Sequence, residues 1–155
     1  MGKKKIAEPD SHFLTGIPGI DRQHDELLFM CDALQHRIQN DNPSPDFIDL
    51  SIQEIMGRFK SHFVTEENLL EMIGFPDAAG HKTEHKKIHN KLNKKLKALK
   101  EKRKVNFTRF VSSFRETICN HINTFDRGYT VHIEKLMHLK KKYKITALKA
   151  QVLAD

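Results

Sequence analysis

Histidine and carboxylate residues at helical spacing make the middle of the chain a candidate for metal binding. His62 and Glu66 stand four residues apart, and so do His81 and His85. A four-residue step in an α-helix brings both side chains to one face, one turn apart. Two such pairs on antiparallel neighbouring helices would direct four ligand-type groups at one point. The spacing therefore predicts a metal centre between helices.

The chain has ten histidines, and five of them fall on the apolar faces of predicted helices. A buried neutral imidazole needs a hydrogen-bond partner or a metal. A single histidine of this kind is commonly a core residue with a satisfied hydrogen bond. Five of them, spread over four helices, favour a shared metal site instead. These five are His24, His62, His81, His85 and His121.

The same helical geometry selects the carboxylates. Glu66 lies on the inward face with His62, whereas Glu67 points about 100° away and is predicted to be solvated. Asp126 follows His121 by five residues, so a regular helix would turn it about 140° away from His121. Asp126 is therefore either a surface residue or is carried inward by a π-bulge, and the two alternatives are equally favoured at this point.

His89 repeats the four-residue spacing after His85 and competes with His81 for a place in the site. The core face of this helix is set by four apolar residues, Ile88, Leu92, Leu96 and Leu99. Their mean direction falls within about 20° of the midpoint between His81 and His85, which leaves His89 roughly 60° away. We therefore predict His81 and His85 as ligands and His89 as exposed.

Four amphipathic helices joined by short loops would position these side chains. Three polar residues are predicted to cap helix N-termini: Asp21, Ser44 and Asn106. The expected helix bounds are about 21–40, 45–73, 77–103 and 106–138 or beyond. This pattern predicts an all-α protein, an up-down-up-down four-helix bundle.

The 155 residues are expected to form one domain. Residues 1–15 are predicted to be an arm, 16–139 the bundle and 140–155 a basic C-terminal extension. The stretch from residue 143 onwards allows a short fifth helix.

The formal charge of +7 comes with lysines at both ends and along the third predicted helix. No nucleic-acid recognition motif accompanies this charge, so a solvated surface is expected rather than nucleic-acid binding. No apolar run reaches membrane-spanning length, and no secretory signal peptide is expected. Two cysteines without paired spacing fit a reducing compartment. We therefore expect a cytoplasmic protein without membrane insertion.

Taken in chain order, these motifs resemble those of the hemerythrins, in particular the single-domain bacterial ones. The resemblance spans residues 13–130, nearly the whole chain. It rests on Ile20-Asp21-Arg22-Gln23-His24, His62-Phe63-x-x-Glu66-Glu67, Phe75-Pro76 before His81-x-x-x-His85, and His121-Ile122-x-x-x-Asp126.

The resemblance implies a non-haem centre of two iron ions. One iron would be held by His81, His85 and His121. The other would be held by His24 and His62, with one position open for dioxygen. Glu66 and Asp126 would bridge the irons together with an oxo or hydroxo ligand, which assigns Asp126 a ligand role.

Reversible dioxygen binding is the function that the resemblance implies, for carriage, storage or delivery to an oxygen-consuming enzyme. An oxygen or redox sensor and a di-iron enzyme acting on nitric oxide or peroxide are the alternatives. The apolar wall of the dioxygen pocket would be formed by Leu28, Phe63, Ile118 and Ile122. Thr117 stands where family members often carry Trp, which predicts a roomier or wetter pocket.

Overall fold

The computed structural model describes residues 14–101 and 106–143, and nearly all of these residues are helical. The helices are α1 (Pro18–Asn40), α2 (Pro45–Met72), α3 (Ala78–Glu101), α4 (Phe107–His121), a π-helical segment (Ile122–Asp126) and α5 (Arg127–Tyr143). Most of the predicted arm, the predicted fifth helix and the Leu99 side chain lie outside the described part. Strands are absent from the two described ranges.

The segments α4, π-helix and α5 follow one another without a break and act as the fourth helix of a bundle. α1 packs against α2 and α4, and α3 packs against the same two neighbours. The predicted all-α four-helix bundle is therefore confirmed. Among the described residues, no helix is both long and apolar enough to cross a bilayer.

Two of the predicted N-caps are confirmed. The Ser44 hydroxyl accepts a hydrogen bond from the backbone N–H of Phe47 at 3.2 Å, and Pro45 occupies the first helical position of α2. The Asn106 side chain accepts from the backbone N–H of Arg109 at 2.8 Å. Each cap satisfies a donor that has no partner inside its own helix.

Asp21 does not cap α1, so this prediction was wrong. The helix begins earlier, at Pro18, whose fixed φ suits the first helical position. Asp21 lies in the first turn, and its carboxylate accepts hydrogen bonds from the backbone N–H groups of Thr15 at 2.6 Å and Gly16 at 3.1 Å. It therefore holds the preceding loop against the helix start.

Gly74 ends α2 and lets the chain turn towards α3. Its φ of +63° lies in the left-handed region that glycine adopts without steric cost. The N–H of Phe75 bonds to the carbonyl of Leu70 at 2.9 Å, and the N–H of Gly74 to that of Glu71 at 3.2 Å. This pair of bonds is a Schellman motif, which satisfies the last carbonyls of the helix.

The bundle interior contains two apolar clusters separated by a polar layer. The larger cluster includes Cys31, Phe59, Leu92 and Phe114, and the smaller one consists of Ile17, Ile20, Leu69, Leu70 and Tyr129. On α1, for example, His24 lies between Ile20 of the small cluster and Leu27 of the large one. Every helix of the bundle contributes histidines or carboxylates to this same layer. The site therefore lies away from both ends of the bundle.

Candidate metal centre

The polar layer consists of the seven residues that the sequence singled out as metal ligands. Each of them is at most 3% exposed to solvent. Burying so many polar groups is costly unless they hydrogen-bond, carry compensating charge or bind a metal. The seven are His24, His62, Glu66, His81, His85, His121 and Asp126.

Three histidines and Glu66 form the first group of possible ligands. The Oε2 atom of Glu66 lies 3.3 Å from Nε2 of His81 and 3.1 Å from Nε2 of His85. The Nε2 atoms of His85 and His121 lie 3.0 Å apart. All four ligand atoms are within 4.8 Å of one another, which is the spacing expected around a single ion.

The second group joins α1 and α2 to the end of the π-helical segment. The Nε2 atoms of His24 and His62 lie 3.2 Å apart. Oε2 of Glu66 is 3.7 Å from Nε2 of His62, and Oδ2 of Asp126 is 3.4 Å from Nε2 of His24. Glu66 therefore belongs to both groups.

Asp126 reaches the site because the chain widens into a π-helix directly after His121. Its Oδ1 lies 3.1 Å from Nε2 of His121, on the side of the first group, while Oδ2 faces His24 of the second. A π-helix needs about one more residue per turn, so the five-residue step returns to the same face. Of the two alternatives left by the sequence, the bulge is present.

Glu67 was wrongly predicted to be solvated. Its side chain is 18% exposed, and its Oε1 accepts a hydrogen bond from Nδ1 of His85 at 3.0 Å. Because a carboxylate only accepts, His85 carries its proton on Nδ1. The Nε2 atom of the ring then faces the site, 3.1 Å from Oε2 of Glu66. The Glu67 side chain reaches from α2 to α3. Its angular position on α2 alone does not reveal such a contact between helices.

Gln23 makes the equivalent contact in the second group. Its amide oxygen lies 2.9 Å from Nδ1 of His62, which leaves Nε2 of that ring facing the site. Hydrogen bonds of this kind orient metal-binding histidines and fix the tautomer. Spacing along the chain did not predict this role of Gln23, because 39 residues separate the two partners.

Tyr129 is a further residue of the site that was not predicted from the sequence. Its side chain is fully buried, and its hydroxyl donates to Oε1 of Glu66 at 2.6 Å. That bond leaves Oε2 as the oxygen that faces the histidines. Tyr129 follows Asp126 by three residues, a helical spacing that could have placed it on the same face.

The charges of the two buried carboxylates strongly affect the neighbouring imidazoles. Burial opposes protonation of His81 and His121, but the nearby carboxylates of Asp126 and Glu66 prevail and raise the pKa of each to about 9. Burial raises the pKa of a carboxylate, yet contacts with these histidines hold the pKa of Glu66 and of Asp126 below their usual values. Without metal, protons on the histidines thus balance the two carboxylates.

His62 behaves differently, because burial dominates its environment and lowers its pKa to about 4. It is therefore neutral at physiological pH, as a metal ligand must be.

Atoms without hydrogen-bond partners test whether the residues fit a metal. Neither oxygen of Asp126 accepts a hydrogen bond of good geometry from the described residues, although imidazole nitrogens lie close to both. Buried polar atoms rarely remain unpaired without a reason such as an ion. Lone pairs that converge from imidazole and carboxylate groups suit iron, zinc or manganese. The residues therefore fit a metal centre.

His89 takes no part in either group, although it is half-buried rather than exposed as predicted. Its ring contacts the Asn93 amide at 3.1 Å and lines a surface cleft between α2 and α3. His85, one turn away, points into the bundle.

The four residues predicted to wall a dioxygen pocket are all buried in the large apolar cluster, and their role stays a prediction. The ring of Phe63 stacks on His85 with centroids 3.6 Å apart. Thr117, in place of the expected Trp, is half-buried, and its hydroxyl donates to the Ser113 carbonyl at 2.7 Å. The four residues are Leu28, Phe63, Ile118 and Ile122.

Fold and site together define a four-helix bundle protein with a candidate metal centre of histidines and carboxylates. Residues 15–133 match the family described as "Hemerythrin HHE cation binding domain". A bacteriohemerythrin of Methylococcus capsulatus is 30% identical over 122 residues, which cover 77% of this chain and 89% of that protein. No solved structure matches the chain. The chain belongs to the hemerythrin family.

Proposed function

We propose that this protein binds dioxygen reversibly at two iron ions held in the polar layer. The observation that carries the proposal is the ligand set, five imidazoles and two carboxylates buried at one level of the bundle. Each of the two ligand groups has enough donors for one ion, and Glu66 is common to both. Iron, when bound, supplies the electrons and the coordination position that dioxygen requires.

The low negative charge of the ligand set favours binding over oxygen activation. Carboxylate-rich di-iron proteins combine several Glu ligands with Glu-x-x-His motifs, and this chain contains no Glu-x-x-His. Fewer anionic ligands stabilise high oxidation states of iron less. For this reason we propose a dioxygen-binding protein and not an enzyme.

The two ligand groups differ in their number of imidazoles, which suggests where dioxygen binds. His81, His85 and His121 supply three rings to one position, whereas His24 and His62 supply two to the other. Glu66 and Asp126 reach both positions, so the position with two imidazoles has one protein donor fewer and would leave a place for dioxygen on a bound iron. Leu28, Phe63, Ile118 and Ile122 would keep water away from the centre and so slow irreversible oxidation.

Carriage, storage or delivery of dioxygen to an oxygen-consuming enzyme in the cytoplasm is the use that we propose. The test is anaerobic reconstitution with ferrous iron, followed by addition of dioxygen and visible spectroscopy. We expect two irons per chain and an absorption band that appears with dioxygen and disappears under vacuum. Zinc-loaded protein is the control, because zinc has no electrons to give and should show no band.

Three results would count against the proposal. Protein that retains no iron would contradict the centre itself. Rapid oxidation of the iron with turnover of peroxide or nitric oxide would indicate that the protein is a di-iron enzyme. A dioxygen-dependent change in the binding of a partner protein, with only slow dioxygen release, would indicate the sensor.

A further inference from the structure

The two ligand groups have different hydrogen-bond partners behind their histidines. In the first group, Nδ1 of His85 donates to the carboxylate of Glu67 at 3.0 Å. In the second, Nδ1 of His62 donates to the neutral amide of Gln23 at 2.9 Å. The distances are nearly equal, so the difference between the two contacts is one of charge.

Glu67 is held in place by a second contact on its outer side. Its Oε2 lies 3.1 Å from Nζ of Lys82, which is half exposed, while Oε1 faces His85. A lysine ammonium and an imidazole N–H on its two oxygens both stabilise the ionised form of a carboxylate. The group behind His85 is therefore a fixed anion.

A carboxylate partner strengthens an imidazole ligand more than an amide does. Hydrogen bonds to a charged acceptor are about twice as strong as neutral ones. A carboxylate behind a metal-bound histidine also raises the basicity of the ring, and loss of such a partner typically costs about 10–100-fold in metal affinity. An amide orients the ring without adding charge.

We propose that Glu67 and Gln23 are positioning residues that make the two metal positions unequal. Glu67, through His85, gives the position of His81, His85 and His121 the higher metal affinity, so this position fills first. Gln23, through His62, orients the ring of the other position and leaves its ion more weakly held. This inference rests on the proposed function for the presence of two ions.

The test uses zinc as a redox-inert probe added to the metal-free chain in competition with a chelator. We expect two binding steps for the wild type. The Glu67→Gln variant keeps an acceptor but removes the charge, and should weaken the tighter step about 10-fold. Glu67→Leu removes the acceptor as well and should weaken that step further, towards about 100-fold.

Two further variants complete the series. Gln23→Leu should weaken only the looser step, and Gln23→Glu should strengthen it. The matched control is Glu71→Gln, one turn along α2. Glu71 also approaches Lys82, at 4.0 Å, but touches no histidine of the site, so its loss should leave both steps unchanged.

Histidine-selective ¹⁵N NMR of the zinc-loaded chain separates a specific contact from a general loss of structure. In the wild type, we expect the Nδ1–H proton of His85 to be observable and protected from exchange. Glu67→Leu should move or remove this signal and leave that of His62 in place, and Gln23→Leu should do the reverse.

The inference is overturned if Glu67→Gln and Glu71→Gln give the same titration and the same His85 signal, or if the wild-type chain binds no zinc tightly. Failure of the proposed function looks different. There, zinc would bind in two unequal steps with the expected variant effects, while the iron-loaded protein would show no reversible response to dioxygen.

Discussion

His85 and His89 are one helical turn apart on α3, and their surroundings differ. His85 is 1% exposed and lies 3.1 Å from Glu66, whereas His89 contacts the side chain of Asn93 at the surface. The four-residue spacing alone could not separate them. The direction of the apolar residues on the same helix could, because a helix buries its ligands and its core residues on one face.

Replacement of each histidine tests this choice. His85→Ala removes a ligand of the three-imidazole position and should lower the iron content after anaerobic reconstitution from about two ions to one or none. His89→Ala should retain the wild-type iron content, because His89 belongs to neither ligand group. Iron per chain is measured colorimetrically. An equal loss of iron in the two variants would contradict the register assigned to α3.

The residues that the sequence did not predict are those that act across helices. Glu67 contacts His85 on α3, and Gln23 contacts His62 on α2, through side chains long enough to reach past the ligand layer. Helical periodicity places a residue on a face of its own helix and carries no information about such reach. Six of the seven ligands lie on the apolar faces of regular helices, which is why periodicity identified them, and Asp126 on the π-helical segment is the exception.

At the scale of the helices, the π-helical segment is the element that completes the site. It carries Asp126 to the ligand layer and then continues as α5 with Tyr129 buried. The residues from Ile122 to Asp126 include neither glycine nor proline. No local signal therefore marks the wide turn, and the bulge could be proposed from the five-residue spacing but not decided.

The N-cap of α2 provides a test of helix-end stability that is separate from the site. Ser44→Ala removes the acceptor for the N–H of Phe47 and should lower the free energy of unfolding by about 1 kcal/mol. The cap lies 18 residues before His62 on α2, or about 27 Å along the axis, so metal content should not change. Urea denaturation of the metal-free chain gives the comparison.

Ser51→Ala is the matched control for this experiment. Ser51 is half-buried within α2, and its hydroxyl donates to the backbone carbonyl of Phe47, which the helix already uses. Its loss should change the stability by no more than about 0.5 kcal/mol. Equal effects of the two substitutions would mean that the Ser44 cap contributes little.

For the whole molecule, the polar layer couples stability to pH. The pKa values of His81 and His121 rise to about 9 in the folded chain from an ordinary 6.5. Groups of this kind contribute stability that is complete below pH 6.5 and is lost as the pH rises through 9. The lowered pKa values of Glu66 and Asp126 act only in acid, and His62 becomes unfavourable only below pH 6.5.

The metal-free protein should therefore become less stable between pH 6.5 and 8.5, on the order of 2–4 kcal/mol. This range stays below the pH at which tyrosine titrates and cysteine ionises fully. Thermal unfolding at a series of pH values measures the effect. The zinc-loaded protein should change much less, because the metal has already displaced these protons. Metal-free protein with a flat profile would contradict the protonated histidine pair.

The four-helix bundle was more predictable from the sequence than the alignment of its helices along their axes. Four amphipathic segments with short loops define the bundle, because each must bury one apolar face. The division of the core into two apolar clusters on either side of a polar layer depends on how the helices are aligned along their axes. That alignment is fixed by packing between helices and only became visible in the structure.

Buried Tyr129 gives this protein an intrinsic optical reporter. The chain has no tryptophan and only two tyrosines, so tyrosine emission is not masked by indole fluorescence. The Tyr129 hydroxyl donates a hydrogen bond to Oε1 of Glu66, so we expect the environment of the phenol to change when Glu66 binds a metal. We therefore expect the ultraviolet tyrosine emission of the chain to change as metal fills the centre, without a label or a change to the sequence.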